Sequence, residues 1–106
     1  MRVKGRSKYH NVKTVVDGKT FASKKEAARY GVLRLLERQG HIKNLRLQVP
    51  YKIVVNGVPI CTYRSDFDYE EQDKEVVEDS KGVHTPVFKI KQKLMKAVYG
   101  IEIKLT

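Results

Sequence analysis

Three tight-turn signals divide this chain. Asp17-Gly18 stands between Thr14–Val16 and Lys19–Phe21, and Asn56-Gly57 follows a strand-like run from Val49 to Val55. Both dipeptides supply the positive φ that a two-residue hairpin loop needs. Gln72-Asp73-Lys74 marks a third turn, between a long strand from about Ile60 to Glu71 and another from Glu75 to Lys81 that Gly82 ends. Two helices fill the gaps. Ser23-Lys24-Lys25-Glu26 has the form of a capping box, which predicts a helix from about residue 24 to Arg38, stopped by Gly40. Ala28, Val32, Leu35 and Leu36 recur at helical spacing as its buried stripe. Thr85-Pro86 opens a second helix, which Gly100 closes. Its apolar stripe is Val87, Ile90, Leu94 and Val98, and Lys89, Lys93 and Lys96 line another face. Ile101–Leu105 reads as a last short strand. The predicted order is helix, three strands, helix, strand, preceded by a small hairpin: an α/β (α+β) fold.

At 106 residues, this is one domain over residues 14–106. Residues 1–13, polar and basic, read as an arm. The composition, 41% hydrophobic and 32% charged, is that of a globular chain. No apolar run exceeds the length of Ile53–Val55, which excludes a membrane-spanning helix and the apolar core of a secretory signal. A single cysteine, Cys61, excludes an internal disulfide framework and a cysteine-based zinc site, and points to the reducing cytoplasm. His10, His41 and His84 are too scattered for zinc.

Charge carries the functional information. Lys and Arg number 22 against 12 Asp and Glu, a net +10, so a polyanion such as nucleic acid is the expected partner. The acids are concentrated. Eight of the twelve lie between Asp66 and Asp79, inside an otherwise basic chain. With the third turn centred between Gln72 and Asp73, residues whose numbers sum to 145 face each other, so Asp66 lies opposite Asp79. Side chains alternate faces along a strand. Phe67, Tyr69 and Val76 therefore share one face, and Asp66, Asp68, Asp79 and Lys81 the other, while Glu78 points away from Asp79. A shift of the turn by one residue on each side would pair Asp79 with Asp68. Opposed like charges are destabilising unless something lies between them. A divalent cation fits, because Mg²⁺ takes oxygen ligands and is commonly held by one or two carboxylates plus phosphate.

The array Ser65-Asp66-Phe67 with Val77-Glu78-Asp79-Ser80-Lys81-Gly82, in this order of elements, resembles the PD-(D/E)XK nuclease superfamily. More narrowly, the chain resembles a small phage family, long described as a domain of unknown function and related to phage junction-resolving endonucleases. Lys8-Tyr9-His10-Asn11, the hairpin from Val16 to Phe21, Ser23–Ala27 and Thr85-Pro86 also carry that likeness. Ser65 stands where the superfamily's name has proline. The resemblance implies a restriction-endonuclease-like core and Mg²⁺-dependent hydrolysis of DNA, with Mn²⁺ as a substitute. It implies that Asp66 and Asp79 are metal ligands, with Glu26 adding a carboxylate, and that Lys81 orients the attacking water or neutralises developing charge. Glu26 also has a plain reading as the capping-box acid. Branched DNA such as a Holliday junction is the implied substrate, and its two cuts imply a homodimer. Lys8, Lys13, Lys24, Lys25, Lys89, Lys93 and Lys96 are the expected DNA contacts. The rival expectation is a non-catalytic basic nucleic-acid-binding or recombination-accessory protein, which accounts for the charge but not for the paired acids.

Overall fold

The structure is a computed structural model that describes residues 13–80 and 84–106. Strands β1 (Thr14–Val16) and β2 (Lys19–Phe21) form the first hairpin, with Asp17 and Gly18 both at positive φ. Helix α1 covers Lys24–Arg38. Ser23 caps it, its hydroxyl accepting from the Glu26 amide at 3.1 Å. At the far end the amides of Gly40 and His41 return to the carbonyls of Glu37 and Leu36, the paired bonds of a Schellman motif.

Five strands follow, where three were expected: β3 (Lys43–Leu47), β4 (Pro50–Val55), β5 (Val58–Arg64), β6 (Phe67–Glu71) and β7 (Lys74–Asp79). β3 was not foreseen. The expected long strand from Ile60 to Glu71 is two strands, because β5 pairs with β4 in a sheet of its own while β6 pairs with β3 and β7. The change of sheet falls at Ser65-Asp66, where the Ser65 amide bonds the Val49 carbonyl and the Asp66 amide bonds the Glu78 carbonyl. Helix α2 covers Pro86–Tyr99, capped by Thr85 and closed by Gly100 at φ 70°, and β8 is Lys104–Leu105.

The main sheet has the order β3-β6-β7-β8, antiparallel except for the parallel pair β7-β8. Phe67 faces Glu78 and Asp68 faces Val77, the register in which paired numbers sum to 145. Period-two alternation then sorts the two cores. On one face Phe67 and Tyr69 pack with Phe21, Ala27, Tyr30, Leu33 and Ile42 under α1. On the other, Val77 packs with Ile53 and Tyr63 of the β4–β5 hairpin and with Phe88 and Met95 of α2.

Both helices present a face rotated from the one expected, with Leu36 of α1 and Leu94 of α2, two members of the expected stripes, half-buried against the cores. In α1 the buried residues are Glu26, Ala27, Tyr30 and Leu33, whereas Val32 and Leu35 are exposed. Tyr30 decides the rotation by packing against Phe21 and stacking on Phe67, and aromatic rings bury the largest areas. In α2, Phe88 and Met95 are buried while Val87, Ile90 and Val98 are exposed. Among the described residues no helix is long and apolar enough to cross a membrane.

Candidate active site

The acids gather where β6 begins and β7 ends. The tight turn at Gln72-Asp73, both at positive φ, fixes the register and so decides which acids share a face. The acids then divide by partner.

Glu78 points to the α1 side and is fully buried. Arg29 of α1 donates to both of its carboxylate oxygens, at 2.8 and 2.6 Å, and the Tyr69 hydroxyl donates to it as well. Lys104 stands 4.0 Å away. The bond to Glu78 holds the Arg29 guanidinium above its ordinary basicity, against the opposing effect of burial. Glu78 is thus neutralised within the protein, as a buried charge must be.

Asp68, also fully buried, lies on the opposite face. Ser65 donates to one of its oxygens at 2.5 Å, Tyr51 of β4 to the other, and Arg46 stands 3.9 Å off. Both oxygens are satisfied internally, so the structure makes Asp68 part of the scaffold.

Asp79 is different. It is 2% exposed, and its side-chain partner among the described residues is the Tyr63 hydroxyl of β5 at 2.7 Å. Among the described residues no cation stands within ion-pair distance of it. Asp66, half-buried one step before β6, accepts from the Ser80 amide at 2.7 Å, which ties it to the residue after Asp79. Tyr63 feels all three acids. Burial first, then its bond to Asp79, then the charges of Asp79, Asp66 and Asp68 push the phenol well above its usual range. Near neutral pH it is therefore a fixed donor.

Glu26 is 5% exposed at the first turn of α1, and its Oε2 has no hydrogen-bond partner among the described residues. The cap bond between Ser23 and α1 uses the Glu26 backbone amide and leaves this oxygen out. The structure brings Asp66 and Asp79 to one end of the β6–β7 pair, but among the described residues no cluster of three or more Asp, Glu, His or Cys is arranged to hold a metal.

Lys81 and Lys8 lie outside the described residues. Lys13, Lys24 and Lys25 are exposed near the start of α1. Lys89, Lys93 and Lys96 are exposed on α2, with Lys96 paired to Glu102 at 2.8 Å. Tyr63, Arg64, Thr85, Phe88 and Lys91 line a cavity of about 380 Å³, open to solvent and carrying two cationic side chains. Nothing local in the sequence marks Tyr63, Tyr51 or Arg29 as partners of the acids. The alternation that turned Glu78 towards α1 already required a cation there.

No curated protein and no solved structure is significantly similar to this chain. One family model matches it over residues 6–106, and the chain belongs to that family, described as Protein of unknown function (DUF1064).

Proposed function

We propose that this protein is a divalent-metal-dependent DNA endonuclease whose metal is held by Asp66 and Asp79, with Glu26 contributing a further oxygen. The observation that carries the reading is Asp79: a buried carboxylate held by one hydroxyl, with no cation near it among the described residues. Buried charges are ordinarily paired or coordinate metals. The donor set fits a hard cation, being all oxygen, and two carboxylates suffice for Mg²⁺ when phosphate and water complete its octahedron. The unpartnered Oε2 of Glu26 is a second oxygen that a cation or its water would satisfy.

When bound, Mg²⁺ (or Mn²⁺) neutralises phosphate charge and lowers the pKa of water. Asp66 and Asp79 bind the cation and, through the rigid β6–β7 pair, fix its place. Lys81 orients the attacking water or balances the developing charge. Lys89, Lys93 and Lys96 of α2, with Lys8, Lys13, Lys24 and Lys25, meet phosphates along the DNA. The resemblance to phage junction-resolving endonucleases favours a branched substrate such as a Holliday junction, cut by a homodimer in the host cytoplasm.

The test offers linear, single-stranded and four-way-junction DNA to the protein in Mg²⁺ and in EDTA. Cleavage is expected in Mg²⁺ only. Asp79→Asn is expected to abolish it while the fold survives, since the amide oxygen still accepts from Tyr63. Cleavage in EDTA, or full activity of Asp79→Asn, overturns the reading. Tight, metal-independent binding without cleavage would instead identify the non-catalytic nucleic-acid-binding protein that the net charge of +10 equally allows.

A further inference from the structure

Resting on the metal-site reading above, we infer that Tyr63 is a positioning residue for Asp79: its hydroxyl fixes one carboxylate oxygen so that the other stays set for a cation. The β4–β5 hairpin is a two-stranded sheet of its own that lies against the main sheet. Tyr51 and Tyr63 are direct cross-strand partners in it, their rings 6.4 Å apart and inclined by 26°. Each sends its hydroxyl to a different aspartate of the main sheet, Tyr51 to Asp68 and Tyr63 to Asp79.

The two contacts look alike and do different things. Asp68 has both oxygens occupied, by Ser65 and Tyr51, with Arg46 close by. Its tyrosine completes a closed structural network. Asp79 receives the Tyr63 hydroxyl on Oδ2, and among the described residues no second hydrogen bond or ion pair engages its side chain. Tyr63 is 3% exposed, its ring packed against Phe88, so its hydroxyl has little freedom to leave Asp79. A donor locked in this way orients a ligating carboxylate, and loss of such partners typically lowers metal affinity by about 10–100-fold.

The closing experiment uses the pair as its own control. Mn²⁺ is titrated into the full chain by calorimetry, for the wild type, Tyr63→Phe and Tyr51→Phe, and the melting temperature of each is measured without metal. Each substitution deletes one hydroxyl and keeps its ring, so both variants should fold and lose similar melting temperature. Tyr63→Phe should weaken Mn²⁺ binding at least about 10-fold. Tyr51→Phe should change it by no more than about twofold, because Asp68 is not a ligand. Equal Mn²⁺ affinity in Tyr63→Phe and wild type, or an equal loss in both variants, overturns the inference and leaves the metal site standing. A wild type that binds no Mn²⁺ overturns the metal-site reading and this inference together.

Discussion

Removing Arg29 should cost this protein more stability than any other single surface-reaching side chain, and the structure sets the magnitude. Arg29→Met deletes the two donors that meet Glu78 at 2.8 and 2.6 Å and leaves a fully buried carboxylate with the Tyr69 hydroxyl as its remaining close donor. Breaking a buried ion pair from one side typically costs about 3–5 kcal/mol, because the surviving charge has lost both water and partner. The Arg29 side chain is 24% exposed and Lys104 stands 4.0 Å from Glu78, so the expected loss is at the lower end, about 3 kcal/mol. Urea unfolding at pH 7 reads this directly. With an m value of about 1.5 kcal/mol per molar, the midpoint should fall by about 2 M. The double variant Arg29→Met/Glu78→Gln removes the stranded charge and keeps an acceptor for Tyr69. It should regain at least half of the loss, since a hydrogen-bonded neutral amide is far cheaper to bury than an unpaired carboxylate. A loss of less than about 1 kcal/mol in Arg29→Met, or a double variant as unstable as the two single losses added together, would refute this role for the ion pair.

Two further outcomes follow from the same geometry. Burial, then hydrogen bonds to Asp68, Asp79 and Glu78, raise the phenols of Tyr51, Tyr63 and Tyr69 above their usual range. The unfolded chain therefore releases these protons near pH 10 while the folded chain keeps them. Their stabilisation is complete below pH 10 and lost as pH rises beyond it, at about 1.4 kcal/mol per pH unit for each tyrosine. From pH 9 to 11, Tyr63→Phe should lose about 1.4 kcal/mol less stability than wild type in urea unfolding, and an equal loss would refute it. Glu26→Gln neutralises a buried carboxylate whose Oε2 lacks a partner, and leaves the Ser23 cap bond in place. Stability in EDTA should hold or rise, while Mg²⁺-dependent cleavage falls at least about 10-fold; full turnover at saturating Mg²⁺ removes Glu26 from the site.

Local signals made most of the framework legible. Asp17-Gly18 and Asn56-Gly57 adopt the positive φ their chemistry favours, Gln72-Asp73 adopts it too, and Ser23, Thr85 and Gly100 cap their helices as read. Strand β3 was hidden because it is short: Leu45 and Leu47 alternate with exposed Asn44 and Arg46, but Asn44 sits at positive φ and the register slips between Lys43 and Arg46, so two apolar residues alone mark it. The break between β5 and β6 was hidden for the opposite reason. Tyr63, Ser65 and Phe67 keep an unbroken period of two while the chain leaves one sheet for another, so the pattern carries no mark of the change. Aliphatic spacing alone misplaces the helix faces, because aromatic packing overrides it. Val32 and Leu35 have the helical period, but Tyr30 has the partners.

The site divides along the same line between local and distant causes. That Glu78 and Asp79 point to opposite faces follows from strand period alone, and it gives two neighbouring carboxylates opposite surroundings: Glu78 meets Arg29, and Asp79 meets a hydroxyl. The hydroxyls that meet Asp68 and Asp79 on their shared face come from another sheet. Around the Asn56-Gly57 turn, Val55 faces Val58 and Val54 faces Pro59, a register that would set Tyr51 opposite Thr62 and turn Tyr63 to the other side of the hairpin. The slip between Ile53 and Val54 changes this. Beyond it Ile53 faces Cys61 and Tyr51 faces Tyr63. An extra residue in one strand is what re-aims side chains at a β-bulge, and Pro59, with no amide hydrogen for the ladder, stands beside it. One residue of slippage therefore places both tyrosines on the face that meets the main sheet, one for Asp68 and one for Asp79. Restoring the regular ladder by deleting Ile60 should turn Tyr63 away from Asp79 without touching an acidic residue. The arrangement of carboxylates is written in β6 and β7, but whether a hydroxyl reaches Asp79 is decided by a bulge in a different hairpin.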